Sequence, residues 1–370
     1  MKPLIPPLYY HDRQTFEQEQ RVLFSSLWTF VGLKNQLTQP NDFITLNLGS
    51  EAVVVQNFDG ELCALHNVCS HRFATLQNAD CGNRILQCPY HGWIYDKDGR
   101  PYAIPKRPKF PEMTQELQTQ MSLKSYRLAS CGEMLFVQPK GGREGPEAVS
   151  LETFLGDLFP VLEQMSRGMG QRIDRNSMEI EANWKICVEN TLESYHVGYV
   201  HQNTFHRLGL KDRGFEFYQS HSSWAGEVDE KMARRFERVQ DVFSSRPYQI
   251  PGYLHLLIFP ATTLGTTYGS SFAIQEFRPI SPDRTLFISN VYSCRLESLN
   301  ARVETTVQLM DKSTVQFNRD VFEEDRVVTE FVQKGIRQTV QPGILSDDEE
   351  RVCAFQTAYM QFIESQGLSD

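Results

Sequence analysis

The chain predicts an α+β protein in which a small all-β domain is inserted into a larger α+β domain. Three observations carry this. Residues 43–138 have the texture of short strands joined by tight turns, and helical patterning flanks that stretch on both sides. A second β-rich run, "YLHLLIFPATTLGTTYGSSFAIQEFRPISPDRTLFISNVYSC" at 253–294, lies far from the first.

Taken in order, "TFEQEQRVLFSSLW" (15–28) reads as an amphipathic helix opened by Thr15, with Gln18 completing a capping box. "EAVVVQNFDGELCALHN" is a hairpin turning at Asp59-Gly60, and "GWIYDKDGRPYAI" repeats the device at Asp98-Gly99. "EMLFVQP" closes the region as a strand, and "KGGREGPEAVS" (140–150) reads as a linker. Helices are expected near 151–165 and 183–203. Two more end the chain, the last opened by a capping box from Ser346 to Glu349. The boundaries that follow are 1–38 for an N-terminal helical part of the larger domain, 39–140 for the small domain and 150–370 for the rest.

Bulk properties narrow the function. A net charge of −9 without a basic stripe argues against nucleic acid. No apolar run approaches the ~18 residues that cross a bilayer. The first residues hold three prolines and no apolar core before a cleavage site, unlike a secretory leader. The expectation is a cytoplasmic enzyme acting on a small molecule, its eight scattered cysteines kept reduced.

Two of those cysteines stand out. "NVCSHR" offers Cys69 and His71, and "CPYHGW" offers Cys88 and His91, with sixteen residues between the pairs and each pair at a predicted hairpin tip. Cys63, Cys81, Cys131, Cys187 and His66 stand in no such pair and read as core or surface. Zinc fingers usually pair Cys with Cys and His with His, whereas here each pair is mixed. Mixed pairs suit a [2Fe–2S] cluster with both cysteines on one iron and both histidines on the other, and the spacing matches the Rieske cluster signature. Neutral imidazoles in place of two thiolates raise the potential of such a centre. It passes electrons on one at a time, so it needs a sink.

The sink is expected in "NWKICVENTLESYHVGYVH". His196 and His201 are five residues apart and share the segment with Glu189 and Glu193. On an ideal helix five residues rotate about 140°, so a π-type turn or a break near Gly198 would be needed to aim both rings at one ion. Two histidines and one carboxylate make the facial triad of a non-haem Fe(II) site with open positions for O2. In "FNRDVFEEDRVVTEFVQKGI" both Glu324 and Asp325 fall near the apolar side of the helix; the wheel leans slightly towards Glu324, and sequence physics alone does not choose between them.

Together these motifs resemble the catalytic α subunit of a Rieske non-haem iron oxygenase over nearly the whole length. The quoted matches are "CSHR", "CPYHGWIYDKDG", "NWK", EN-x-x-E-x-x-H-x-x-x-x-H and EED-x-x-x-x-E-x-x-Q. The resemblance places the third iron ligand on Asp325. It implies a Rieske domain with a helix-grip catalytic domain on an antiparallel sheet. It also implies subunits in a ring, often a homotrimer, in which one subunit's cluster faces its neighbour's iron across Glu193 as a bridging carboxylate. Many members carry Asp at that position; Glu occurs there in oxygenases resembling carnitine and glycine betaine demethylating enzymes, which leans towards quaternary ammonium substrates.

The implied reaction consumes O2 and two electrons and places one or both oxygen atoms in an organic substrate. Monooxygenation, as hydroxylation or oxidative demethylation, is favoured over cis-dihydroxylation, and an aromatic acid is the competing substrate class. The sequence shows neither a dinucleotide fingerprint nor a four-cysteine ferredoxin pattern, so a separate flavin and iron–sulfur reductase is the expected electron donor. Substrate contacts are expected from the helix near Asn190 and from 203–275, where Phe205, Phe215, Phe217, Trp224, Phe259 and Phe272 supply either a cation–π cage or core. The rival of another class is a non-enzymatic Rieske electron carrier or redox sensor, which would lack the second site.

Overall fold

Strand pairing divides the chain into two compact units, one formed by Gln20–Phe154 and the other by Met1–Glu19 with Leu155–Asp370. This computed structural model describes residues 2, 4–139, 149–231, 233–234, 247–296 and 301–366. Most of the stretch read as a linker, 140–148, lies outside the described residues. Among the described residues, no helix is long and apolar enough to cross a membrane.

The first helix, α1 (Arg13–Glu19), belongs to the larger unit. Its cap is not Thr15. Asp12 accepts hydrogen bonds from the Thr15 amide at 2.7 Å and hydroxyl at 2.8 Å, so Asp12 caps and Thr15 lies inside the first turn. The helix does not run on to residue 28, because a π-turn, Gln20–Phe24, ends it.

The smaller unit holds β1 (Thr29–Leu33), β2 (Asp42–Leu48), β3 (Glu51–Phe58), β4 (Glu61–His66), β5 (Cys81–Asn83), β6 (Ile94–Tyr95), β7 (Pro101–Ala103), β8 (Arg127–Cys131) and β9 (Met134–Gln138). They form sheets ordered β1-β9-β8 and β4-β3-β2-β5, plus the β6-β7 ribbon. β1 pairs antiparallel with β9, which is why this unit begins at Gln20. The "AVVV" stretch of β3 explains how one strand serves two cores. Side chains alternate across a strand, so Val53 and Val55 enter one apolar cluster while Val54 enters another, shared with Cys69, Cys88, Trp93 and Tyr95. A one-residue slip of β3 would exchange the two faces and displace the metal-type loops.

The larger unit is built on seven antiparallel strands: β10 (Met169–Ile180), β11 (Lys211–Tyr218), β12 (His221–Glu227), β13 (Tyr253–Ile258), β14 (Thr262–Thr267), β15 (Ser271–Ser281) and β16 (Arg284–Cys294). Their order, β10-β16-β15-β14-β13-β12-β11, is a run of hairpins with β10 added at one edge. Alternating burial along β15 shows one face packed and the other partly open. Helix α2 (Gln115–Gln120) lies in the smaller unit; α3 (Leu151–Leu155) and α4 (Leu158–Ser166) follow, separated by Gly156 at φ 53°. The expected single helix at 183–203 is two, α5 (Trp184–Thr191) and α6 (Val197–Val200). The long α7 (Ala301–Ile336) lies on the sheet, its Phe322 ring meeting Phe287 edge-on at 4.8 Å. α8 (Glu350–Gln366) ends the described chain, and Ser346 donates to Glu349 at 2.7 Å in the expected capping box.

One buried ion pair fastens α1, α5 and α8 together. Lys185 Nζ lies 2.5 Å from Glu19 Oε1 with both side chains fully buried. Trp184 at 2.8 Å and Tyr359 at 2.6 Å complete the donors around Glu19. A buried pair survives only when its remaining lone pairs are satisfied, and these two donors satisfy them.

Candidate metal centres

The Cys69 and Cys88 loops have the same backbone plan. In each the cysteine amide bonds the carbonyl five residues on, at 2.9 Å to Ala74 and 2.8 Å to Trp93. In each the amide four residues on returns to the cysteine carbonyl at 3.0 Å, from Phe73 and from Gly92. That closing residue has positive φ in both, 60° at Phe73 and 73° at Gly92. Phenylalanine rarely adopts this region, and such strain clusters at functional sites.

The plan brings both cysteines and both histidines together. The Cys69 and Cys88 thiols are buried neighbours; burial pushes the Cys69 thiol up, the Tyr95 hydroxyl and the His71 amide pull it down, and the Cys88 thiol adds a further upward push. The His71 and His91 rings meet at 4.7 Å, and His71 lies flat on the buried Trp93 ring at 4.7 Å and 4°. Buried Nδ1 of His71 has no hydrogen-bond partner among the described residues. Native proteins rarely leave a buried ring nitrogen unsatisfied, and an iron ligand role would satisfy it. The residues present thus fit a [2Fe–2S] cluster. Tyr95, which sequence reasoning did not single out, places its hydroxyl 3.0 Å from Cys69 Sγ and accepts from the Ser70 amide at 3.0 Å.

In the larger unit His196 and His201 flank α6, one at each end, and the chain breaks before His196 and not near Gly198. The break has a local cause: Glu193 accepts the His196 amide at 3.1 Å, a side-chain bond that competes with helix continuation. The rings then face each other, Nε2 to Nε2 at 3.2 Å. Asp325 Oδ1 lies 3.0 Å from His201 Nε2 and 3.7 Å from His196 Nε2. One ligand atom from each of the three lies within 4.8 Å of the others, a set that can hold one metal ion.

The surrounding bonds orient these groups. Glu193 Oε1 meets His196 Nδ1, leaving Nε2 to face the other two. Glu324 Oε2 lies 2.7 Å from His201 Nδ1 and accepts from Thr204 at 2.6 Å. Asn190 donates to Asp325 Oδ1 at 2.7 Å. Burial depresses the His201 pKa, but Asp325 and Glu324 outweigh it and the net shift is upward. The same field that holds a proton there attracts a cation.

A cavity of ≈ 70 Å³ opens on the three residues, walled by Phe205, Phe215, Trp224, Tyr253, His255 and Arg351. A larger one of ≈ 290 Å³ shares Phe205 and Tyr253 with it and extends to Phe317. Of the aromatics expected at the substrate, Phe205, Phe215 and Trp224 are there. Phe259 and Phe272 are fully buried core residues, and Phe217 is 43% exposed. His255 and Arg351 carry no motif, and Glu324 was weighed only as a ligand.

Two mixed Cys–His loops on an all-β unit, and two histidines with a carboxylate over an antiparallel sheet, define an iron oxygenase of the Rieske class. Family comparison agrees. The model of the ring hydroxylating alpha subunit catalytic domain matches residues 169–365, and that of the Rieske [2Fe-2S] domain matches 27–127. The chain belongs to the ring hydroxylating alpha subunit family. It is an oxidoreductase that carries a Rieske [2Fe–2S] cluster and a mononuclear iron and works with a separate reductase. It is 26% identical to the carnitine monooxygenase oxygenase subunit of Acinetobacter baumannii, covering 98% of this chain and 94% of that one. It is 28% identical to the toluate 1,2-dioxygenase alpha subunit of Pseudomonas putida, covering 75% and 67%. The fold superposes on the quaternary ammonium Rieske monooxygenase CntA with TM-score 0.80 at 22% identity, covering 97% of this chain and 95% of CntA. On naphthalene 1,2-dioxygenase from Rhodococcus sp. the score is 0.74 at 18% identity, covering 98% and 94%.

Proposed function

We propose that this chain is a terminal oxygenase that monooxygenates a small organic substrate, by hydroxylation or oxidative demethylation. Cys69 and Cys88 hold one iron of the cluster and His71 and His91 the other, while His196, His201 and Asp325 hold the mononuclear iron. The convergence of those last three on one point carries the reading, since an electron carrier has no use for it. When bound, the cluster supplies electrons singly and the mononuclear Fe(II) supplies open positions for O2.

The protein's own residues do the rest. Glu193 and Glu324 accept Nδ1–H protons from His196 and His201, which keeps each Nε2 lone pair available as a ligand. Asn190 orients the Asp325 carboxylate. Phe205, Phe215, Trp224 and Tyr253 exclude water and position the substrate. Glu193 bridges to the cluster of a neighbouring subunit in a homotrimer; the solved structure of a quaternary ammonium Rieske monooxygenase, described in terms of inter-subunit electron transfer, supports this arrangement. The compartment fits the cytoplasm, where the reductase draws on NADH or NADPH. A quaternary ammonium substrate is favoured because the carnitine likeness spans 98% of the chain; an aromatic acid is the second reading, supported by the toluate enzyme.

Metal analysis combined with O2 uptake tests this. A surrogate reductase, a panel of trimethylammonium compounds and aromatic acids, and mass analysis of products should show about three irons per chain and a product heavier by one oxygen or lighter by one methyl group. About two irons per chain and no O2 uptake would leave an electron carrier.

A further inference from the structure

Arg351 is charged, only 1% exposed, and part of the wall of the cavity that opens on His196, His201 and Asp325. Its Nε donates to Ser222 Oγ at 3.0 Å, Nη1 to His255 Nδ1 at 3.2 Å and Nη2 to the Ser222 carbonyl at 3.4 Å. All three partners are neutral. Among the described residues no carboxylate forms an ion pair with it, in contrast to the buried Lys185, which has Glu19 at 2.5 Å. Burying a cation without a counter-ion is far more costly than burying a paired one. A fold that satisfies Lys185 so fully and leaves Arg351 without a countercharge has left that charge for a ligand to bring.

The neighbours sharpen the chemistry. Guanidinium only donates, so His255 Nδ1 accepts, and the ring is the neutral tautomer with its proton on Nε2. Burial and the Arg351 charge both hold the His255 pKa well below its ordinary value, which keeps it so. Burial brings the Arg351 pKa down to about 9, leaving it charged at neutral pH. Tyr253 lines the same cavity as Arg351 and Asp325 and feels the charge of both. Phe205 at 5.7 Å and Trp224 at 5.5 Å flank Tyr253 edge-on. The cavity therefore gathers a cation with hydrogen-bond donors, aromatic walls and a histidine–carboxylate set.

We propose that Arg351 and the Nε2–H of His255 form the subsite for a carboxylate on the substrate, so that the substrate is an organic acid whose opposite end reaches His196, His201 and Asp325. The choice of reacting end rests on the function proposed above; the carboxylate subsite does not. A substrate that is a simple cation or a neutral hydrocarbon does not fit, because it would leave Arg351 without a counter-ion. An aromatic acid and a trimethylammonium acid share the required group.

Equilibrium calorimetry on the holoenzyme with matched pairs tests it: 4-toluate against 4-toluamide, and L-carnitine against its methyl ester. At least one acid should bind about 10- to 100-fold more tightly than its partner without the carboxylate, the range of a charged hydrogen bond. Which pair shows the preference identifies the substrate type. Arg351→Gln should bring that ratio close to one with iron content and cluster spectrum unchanged. Should that variant fail to fold, Arg351→Lys, which keeps the charge and loses the fork, should give an intermediate ratio. Ratios near one for both wild-type pairs, or a preference that survives in Arg351→Gln or is undiminished in Arg351→Lys, would overturn the subsite. Acid preference in a protein that binds no mononuclear iron would tell against the proposed function alone. O2 uptake with a neutral substrate and no acid preference would tell against the subsite alone.

Discussion

Glu324 and Asp325, adjacent in α7, hold opposite nitrogens of the same ring: Glu324 Oε2 lies 2.7 Å from His201 Nδ1, and Asp325 Oδ1 lies 3.0 Å from His201 Nε2. Successive helix residues diverge by about 100°, so the two carboxylates pass on either side of the imidazole. Only Asp325 also reaches towards His196. The pair divides one task, with Asp325 facing the metal position and Glu324 fixing the tautomer behind it.

Asp325→Ala should therefore abolish mononuclear iron binding while the visible spectrum of the cluster stays intact, since one anionic ligand of three is lost. Glu324→Gln should only weaken it, by about 10- to 100-fold as for other groups that orient a ligand. Iron content after graded chelation distinguishes the two. Loss of all mononuclear iron in Glu324→Ala, with Asp325 untouched, would reverse the assignment.

Tyr95→Phe should lower the reduction potential of the cluster. The Tyr95 oxygen already accepts from the Ser70 amide, so its proton is free to reach Cys69 Sγ at 3.0 Å. A donor to a cluster sulfur stabilises the extra negative charge of the reduced state, and its removal makes reduction harder. An electrochemical titration of both proteins checks this; equal potentials would mean that the hydroxyl serves Ser70 alone.

Most of the metal chemistry was legible because it is local. Cys69 with His71, and Cys88 with His91, each lie within a single turn, and turn geometry follows from few residues. The choice of Asp325 over Glu324 was not legible from helical periodicity, because both fall on the apolar side and the distinction depends on how α7 meets His201. The break before His196 was expected too late in the chain: Gly198 is a visible helix breaker, whereas a Glu three residues before a His also suits a continuous helix, and its competing bond to the His196 amide shows only in the folded geometry. Arg351 was invisible for a different reason. In "SDDEERV" a charged residue reads as solvated helix surface, and only the approach of β12 and β13 buries it against Ser222 and His255.

Glu189→Gln should flatten the pH dependence of stability. Burial, opposed by Gln356, Tyr10 and Lys185, raises the Glu189 pKa from 4.5 to about 7. The unfolded carboxyl ionises above roughly 4.5 and the folded one only near 7, so folding takes up a proton between them. The contribution is full at low pH and is lost as pH rises through 7, an effect on the order of 3 kcal/mol. Denaturant midpoints measured from pH 5 to 8 should fall with pH more steeply in the wild type than in Glu189→Gln. Parallel curves would mean that Glu189 ionises freely in the folded protein.

Glu193→Gln should keep both metal centres yet lose most turnover. Glu193 accepts the His196 amide at 3.1 Å and contacts His196 Nδ1, and its side chain is 12% exposed. The amide keeps the shape and one acceptor oxygen, so His196 should retain its tautomer and the iron its ligand. What disappears is the negative charge that can hold two imidazole N–H donors at once, one from His196 and, in the proposed trimer, one from a cluster histidine of the neighbouring subunit. Turnover should fall by about 10- to 100-fold, as for other residues that act through a ligand, with the loss in electron transfer. Stopped-flow oxidation of the pre-reduced cluster, with substrate and O2 present, reads that step directly. If Glu193 only positioned His196, iron affinity would drop and the rate per bound iron would stay at the wild-type value. A fully metallated variant whose cluster oxidises at the wild-type rate would sink the bridge.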